Sequence, residues 1–419
     1  MVRNPGVSGR RWRSCLITLL MFQMVLPIAW RAKAETPAPY HIYIDADWTH
    51  SLPSSRAIEW GIKTALRAID NKISGFPMEI RRIDHRANTK RHLKNQKTIL
   101  ADDRALAVFT GLHSPPLLAN KQFINTNEIL TLDPWAAAGP ITRSPEPNWI
   151  FRLSVDDAVA GRVIVEHAVK NRGFKNLVLI AEDTGWGRFN NKNMSAMARE
   201  LKVEQFQVLW SNWGISKPAA KILLRQATNR GADAILLVTN PAECVVFAQA
   251  AMELEPSLRR PFQSHWGCSS GGFAGKIGPE ALNSLDMEFI QSRFSFLWQP
   301  NIAHAGDVLN VTRQMFPELI AKAEDIRPPA AFIHAHDLTM LLIAAAKQAK
   351  LTGDLATDRQ NLREALLDLR KPVRGLIKTY EKPFSPWSPE NSDGHEALGR
   401  EDYVMARYDE QGRILMEPR

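Results

Sequence analysis

Residues 177–187 read LVLIAEDTGWG: an apolar run closed by Glu182, then an acid, a hydroxyl and two glycines around a tryptophan. A run so short and apolar is a strand covered on both faces, and the residues after it turn the chain into a helix over 188–201. The pattern repeats in both directions. Strands are predicted at 41–45, 78–84, 106–110, 129–132, 149–153, 206–210, 234–239, 262–266 and 286–291. Between the first two, Ile58, Ile62, Leu66 and Ile69 share one helical face, which Ser54 or Ser55 is placed to cap. Further helices fit 157–171, 216–229, 241–254 and 336–350. Strands alternating with crossover helices define an α/β protein of two doubly wound, Rossmann-like lobes. The length of 419 residues agrees with two domains.

Residues 1–34 carry Arg3, Arg10, Arg11, Arg13, Arg31 and Lys33 with no acid, an apolar run from Cys15 to Trp30, and Ala32-Lys33-Ala34 before Glu35. This is the pattern of a secretory signal peptide, and the run falls short of the roughly 20 residues that a span needs. Cleavage before Glu35 predicts a soluble periplasmic protein. It also removes six positive charges and takes the net charge from +9 to +3, so nucleic acid is not an expected partner. The mature chain keeps Cys244 and Cys268. They stand just beyond neighbouring strands in an oxidising compartment, which brings a disulfide within reach unless Cys244 is already a turn into its helix and points away.

In doubly wound sheets ligands lie outside the carboxyl ends of the strands. The loops there hold Asp47-Trp48, Gly111-Leu-His113-Ser114, Asp133-Pro134-Trp135-Ala136-Ala137, Asp183-Thr-Gly-Trp186-Gly187, Thr239-Asn240-Pro241 and His265-Trp266-Gly267-Cys268. A single tryptophan at a strand end often plugs its own lobe. Four of the chain's twelve in such loops point to an aromatic cleft. Asp133 and Asp183 have the plainer reading of capping the next helix, and His113 and His265 are expected to hydrogen-bond within their loops rather than to hold a metal.

Along nearly all of the mature chain the sequence resembles the periplasmic solute-binding proteins of ABC importers, of the leucine/isoleucine/valine-binding type (type I periplasmic binding proteins). The resemblance rests on Gly61 and the helix ending in Asp70-Asn71, Asp84, Val108-Phe-Thr-Gly111 with Ser114, Asp133-Pro134, and Phe151-Arg152 before Asp156-Asp157. Asp183 with Gly187, Ala335-His336-Asp337 and the closing Tyr408-Asp-Glu-Gln-Gly412 continue it. It implies two lobes joined by three crossovers, near Phe151–Asp156, Gln291–Ser295 and Pro372–Gly375. The amino-terminal lobe then combines 38–151 with 293–372, and the carboxyl-terminal lobe 154–290 with 373–419.

Where members that bind aliphatic amino acids place a hydroxyl for the carboxylate and an acid for the ammonium, this chain resembles them in position only, with Ala137 and Trp266. An aliphatic amino acid is therefore not the expected ligand, because a buried ammonium without an acidic partner is strongly disfavoured. The candidate ligand-binding set is Trp48, Ser114, Asp133, Trp135, Ala137, Asp183, Trp186, Asn240 and Trp266, with Trp135 and Trp266 clamping the solute from opposite lobes. Such a cleft suits a flat aromatic ring, a sugar face or a cation held by ring quadrupoles.

Enzymatic readings are weaker. Gly267-Cys-Ser269-Ser-Gly271 has the form of a serine-hydrolase elbow after a strand, but the glycines beyond it disfavour the helix that aims such a serine. His334-Ala-His336-Asp337 offers alternating donors without further ligands at matching spacing, and is read as a strand-to-helix turn. Neither a Walker loop nor a dinucleotide fingerprint occurs, so no cofactor is expected. The chain reads as a monomeric receptor that presents a small molecule to an inner-membrane ABC permease. The alternative is a sensing subunit for a membrane kinase or chemoreceptor.

Overall fold

The computed structural model describes residues 37–145, 147–270, 272–298 and 304–416; the expected signal peptide, 1–34, lies outside them. The first sheet is built from β1 (Tyr40–Ala46), β2 (Lys72–Ile73), β3 (Phe76–Asp84), β4 (Ala105–Thr110), β5 (Thr131–Asp133) and β6 (Ile150–Arg152), in the order β2-β3-β1-β4-β5-β6. Its strands are parallel except for the short β2 hairpin. β1 and β4 are buried along their whole length, as strands covered on both faces must be. Helices α1 (Leu52–Arg67), α2 (Thr89–Leu100) and α3 (Ser114–Thr126) make the crossovers.

After β6 the chain enters the second lobe through α4 (Asp157–Glu166), then β7 (Asn176–Glu182), α5 (Gly185–Glu200), β8 (Gln205–Ser211), α6 (Lys217–Asn229) and β9 (Ala234–Val238). α7 (Pro241–Met252), β10 (Phe262–Ser264), α8 (Phe273–Ser284) and β11 (Met287–Ser292) complete its wound part. Next, α9 (Ala305–Met315), α10 (Pro329–Ala349) and α11 (Leu355–Leu367) return to the first lobe, followed by the hairpin β12 (Val373–Arg374) and β13 (Thr379–Tyr380). Finally β14 (Tyr403–Tyr408) and β15 (Ile414–Met416) add antiparallel strands beside β11. The second sheet runs β15-β14-β11-β10-β9-β7-β8.

In each sheet the winding reverses once, between β1 and β4 and between β7 and β9. These switch points open crevices at the carboxyl ends of the strands. Behind the first of them α1 lies against α10 so closely that a Cβ on Gly61 would stand 2.3 Å from the Phe332 carbonyl oxygen. α10 is long and apolar enough to cross a membrane, yet it is a core helix, with most of its residues buried.

Three expectations change. Ser54 and Ser55 do not cap α1: Ser51 precedes the helix, and Ser55 sits inside it with its hydroxyl donating to the Asp47 carbonyl at 2.9 Å. His334-Ala-His336-Asp337 is not a strand-to-helix turn, because α10 already begins at Pro329, where proline suits a first helical turn. The third crossover is not near Pro372–Gly375. Asp337 of α10 accepts from the Leu376 N–H at 2.7 Å and the Tyr380 hydroxyl at 2.9 Å, which ties the hairpin to the first lobe. Further on, His395 stacks on Phe151 at 4.5 Å and Glu396 accepts from Arg152 at 2.8 Å. A carboxylate as buried as Glu396 needs that guanidinium. The chain packs on the second sheet from Arg400–Asp402 and β14 onward.

Candidate ligand-binding site

The loops at the two switch points meet. His113, between β4 and α3, bonds through Nε2 to Asp47 Oδ2 at 3.1 Å, just after β1, and through Nδ1 to Asn240 Oδ1 at 3.1 Å, just after β9. Asn240 in turn donates from its side-chain amide to Glu182 Oε2 at 2.7 Å, at the end of β7. The four strands flanking both switch points thus carry one continuous buried polar bridge between the lobes. Burial alone would push the Asp47 carboxyl up, but hydrogen bonds from His113 and the His50 N–H bring it down to about 2. Glu182 goes the other way: burial, with Glu243 nearby, raises it to about 8 against the bonds from Asn240.

Beside this bridge the rings of Trp135 and Trp266 stack directly, with centroids 4.3 Å apart and planes at 16°. Their loops are held from behind. Asp133 Oδ1 accepts from the Trp135 and Ala136 N–H groups at 2.9 and 2.7 Å, an aspartate-closed turn. Fully buried Arg152 donates to the Ala136 and Ala138 carbonyls at 2.8 and 2.9 Å while pairing with Asp156 and Glu396. Trp266 opens a short 3-10 turn, Trp266–Ser269, in which a Cβ on Gly267 would stand 1.9 Å from the Thr239 carbonyl oxygen. Only glycine lets the loops after β9 and β10 approach so nearly. Trp186, at the start of α5, donates from its indole to Asp157 Oδ1 at 3.1 Å, an oxygen that also lies 2.8 Å from His265 Nε2. His334 of α10 lies 5.5 Å from the Trp266 ring, its Nδ1 3.1 Å from the Pro134 carbonyl and its Nε2 2.9 Å from Ser292 Oγ. Burial holds it at about 4, the neutral form that can donate to one and accept from the other.

The cavity between the lobes is lined by Ser114, Trp135, Ala137, Trp186, Asn240 and Trp266, all six in the expected set, together with Leu112, Thr239, Pro241 and Gly267. With the two rings in contact it holds about 10 Å³, room for roughly one water. Three expected residues stand elsewhere. Trp48 is turned away, its indole donating to the Ile44 carbonyl at 3.3 Å beneath the Arg82 guanidinium. Asp133 is spent on its own turn, and Asp183 pairs on the surface with Arg188, leaving Thr184 to cap α5. Thr239 and Leu112 were missed because a threonine or leucine beside a strand end gives no sequence signal distinct from core packing.

Ser269, which would be the nucleophile of a serine hydrolase, donates its hydroxyl to the Trp266 carbonyl at 2.7 Å. Its neighbour Cys268 is joined in a disulfide to Cys244, with Cα atoms 5.3 Å apart. Two wound lobes closing on a cavity at their switch points define a two-lobed solute receptor.

The chain belongs to the periplasmic binding protein family, whose profile matches residues 50–412; its members bind solutes and are not enzymes. No curated protein sequence matches the chain. Among solved structures it is similar to a type 1 periplasmic binding protein from Bordetella pertussis Tohama I, at 17% identity and TM-score 0.74 over 91% of this chain and 100% of that one. A leucine-binding protein from Thermotoga maritima MSB8 gives 16% identity and TM-score 0.69 over 90% and 98% of the two chains. An ABC-transporter solute-binding protein from Rhodopseudomonas palustris, solved in complex with benzoate, gives 15% and 0.71 over 90% and 95%. At these identities the likeness is one of fold.

Proposed function

We propose that the protein is a monomeric periplasmic receptor that captures a small organic solute between its lobes and delivers it to an ABC importer of the inner membrane. The observation that carries this reading is the cavity at the paired switch points, where each lobe supplies one tryptophan to a stacked pair and the His113–Asn240 bond joins the lobes beside them. A solute that touches both lobes favours the closed form by its differential affinity, and the permease reads closure. The family supports a solute-binding role, and the structural likeness to benzoate- and leucine-binding receptors supports a small organic ligand.

Thermal-shift screening of the mature protein against a metabolite library, followed by calorimetric titration, tests the reading. The solute found should lose about 2 kcal/mol or more of affinity in Trp266→Ala, as when a buried aromatic anchor is truncated. Full affinity in a Trp266→Ala protein that is merely less stable would mean that the rings only fill their own lobes and would refute the clamp, while a screen in which no solute binds would overturn the receptor reading.

A further inference from the structure

Resting on the receptor reading above, the chemistry of the closed cleft narrows the solute. We infer that it is an uncharged, planar, conjugated ring bearing a hydrogen-bonding edge, held between the faces of Trp135 and Trp266.

Shape comes first. The two indoles meet nearly parallel and both are buried, so in the closed form the only thing between the lobes at this point is the other ring's face. A planar ring entering there restores a face-to-face contact on each side at the cost of opening the lobes by about 3.5 Å, one carbon contact distance. A branched aliphatic chain or a puckered sugar presents a flat face to neither indole or to one alone.

Charge comes next. None of the side chains lining the cavity is ionisable. Each buried carboxylate behind it has an oxygen engaged: Asp133 Oδ1 with the Trp135 and Ala136 amides, Asp157 Oδ1 with the Trp186 indole and beside His265, Glu182 with Asn240. A cation would meet no charged side chain on the cavity wall itself. An anion would look instead to the helix N-termini at this end of the sheets, since free N–H groups there bind anions. Those donors are reduced in number. α3 begins Ser114-Pro115-Pro116 and α7 begins at Pro241, and proline has no N–H. At α5 the Gly187 N–H is already taken by the Thr184 hydroxyl.

Polarity remains on the edges. Ser114 Oγ accepts from the Ala138 N–H at 3.1 Å, which leaves its own hydrogen to give, and Thr239 Oγ1 is buried with no partner among the described residues. One hydroxyl comes from each lobe. They suit a neutral carbonyl, amide or ring nitrogen, and an unpaired buried hydroxyl is itself costly until such a group arrives.

Four probes decide it on the mature protein by calorimetry and tryptophan fluorescence: benzamide, benzoate, benzylammonium and cyclohexanecarboxamide. Benzamide should bind at least about tenfold more tightly than each of the others and should quench the tryptophan emission. It should lose roughly 30-fold in affinity in Trp135→Ala and in Trp266→Ala proteins whose circular dichroism is native. Benzoate or benzylammonium matching benzamide overturns the assignment of charge; cyclohexanecarboxamide matching it overturns planarity; failure of all four at millimolar concentration overturns the inference as a whole. Leucine or glucose, titrated in parallel, separates this from the receptor reading: binding of either that is lost in Trp266→Ala leaves the receptor standing and removes the ring.

Discussion

His113 and Asn240 meet across the cleft at 3.1 Å, one side chain from each lobe. Asn240 gives its amide hydrogens to Glu182 and turns its oxygen to His113, whose other nitrogen faces Asp47. Both ring nitrogens of His113 therefore face oxygens, one on each lobe. With Asp47 and Glu182 anchored on β1 and β7, the contact joins the two switch points directly.

If this bond holds the lobes closed, His113→Ala should weaken solute binding about tenfold, the upper share expected of one hydrogen bond. Asn240→Ala should cost about as much, and the double variant little more than either, because both remove one shared contact. Calorimetry on the four proteins of this cycle reads the coupling. Additive losses would show that the two residues act separately.

Stability should fall as pH rises above neutrality. Burial pushes Asp45 up to about 8, beyond what the amides of Asn95 and Gln96 counter, and raises Asp133 to about 7. Between the ordinary carboxylate range near 4 and these values the folded state holds protons that the unfolded state has released, so each further pH unit lowers stability. His85 and His334, held at about 4 chiefly by burial, act in the opposite sense, but their gain is complete by about 6.5. Urea unfolding should therefore give roughly 1 kcal/mol or more less stability at pH 8.5 than at pH 6.5. Asp45→Asn should flatten the profile, since Gln96 Oε1 has no partner and is available to accept a hydrogen. A level profile in the unmodified protein would contradict the argument.

The Cys244–Cys268 disulfide closes a loop with a sequence separation of 24, and Cα atoms 5.3 Å apart suit the bond. Protein from periplasm should show no free thiol on denaturation without reductant. Replacing both cysteines by alanine should cost about 2–4 kcal/mol in denaturant unfolding. Two free thiols in that preparation would count against the bond.

The strands were legible because burial on both faces leaves little choice of residue: LVLIAE at 177–182 and AILLV at 234–238 are β7 and β9 within a residue of expectation. The loops after them were legible as positions, and Ser114, Trp135, Ala137, Trp186, Asn240 and Trp266 do line the cavity. Their neighbours were not, because a place after a strand says nothing of where a side chain turns. Trp48 follows β1 as Trp135 follows β5, yet Asp84 binds the Trp48 N–H at 3.0 Å and Arg82 covers its ring, both from β3. The late segment failed for the same reason: nothing local in Glu396 announces Arg152, which lies 244 residues earlier.

Local periodicity, turn residues and composition by themselves determined the α/β class, the succession of the main buried strands up to residue 291 and the loops that carry the site, because those properties arise from contacts a few residues apart. The stack of Trp135 on Trp266, the bridge from Asp47 to Glu182 and the third crossover after Gly399 were decided by tertiary structure alone. Each joins groups from different lobes or from distant parts of the chain. A buried ring or charge takes whatever partner the closed fold brings to it, and no local pattern encodes that partner.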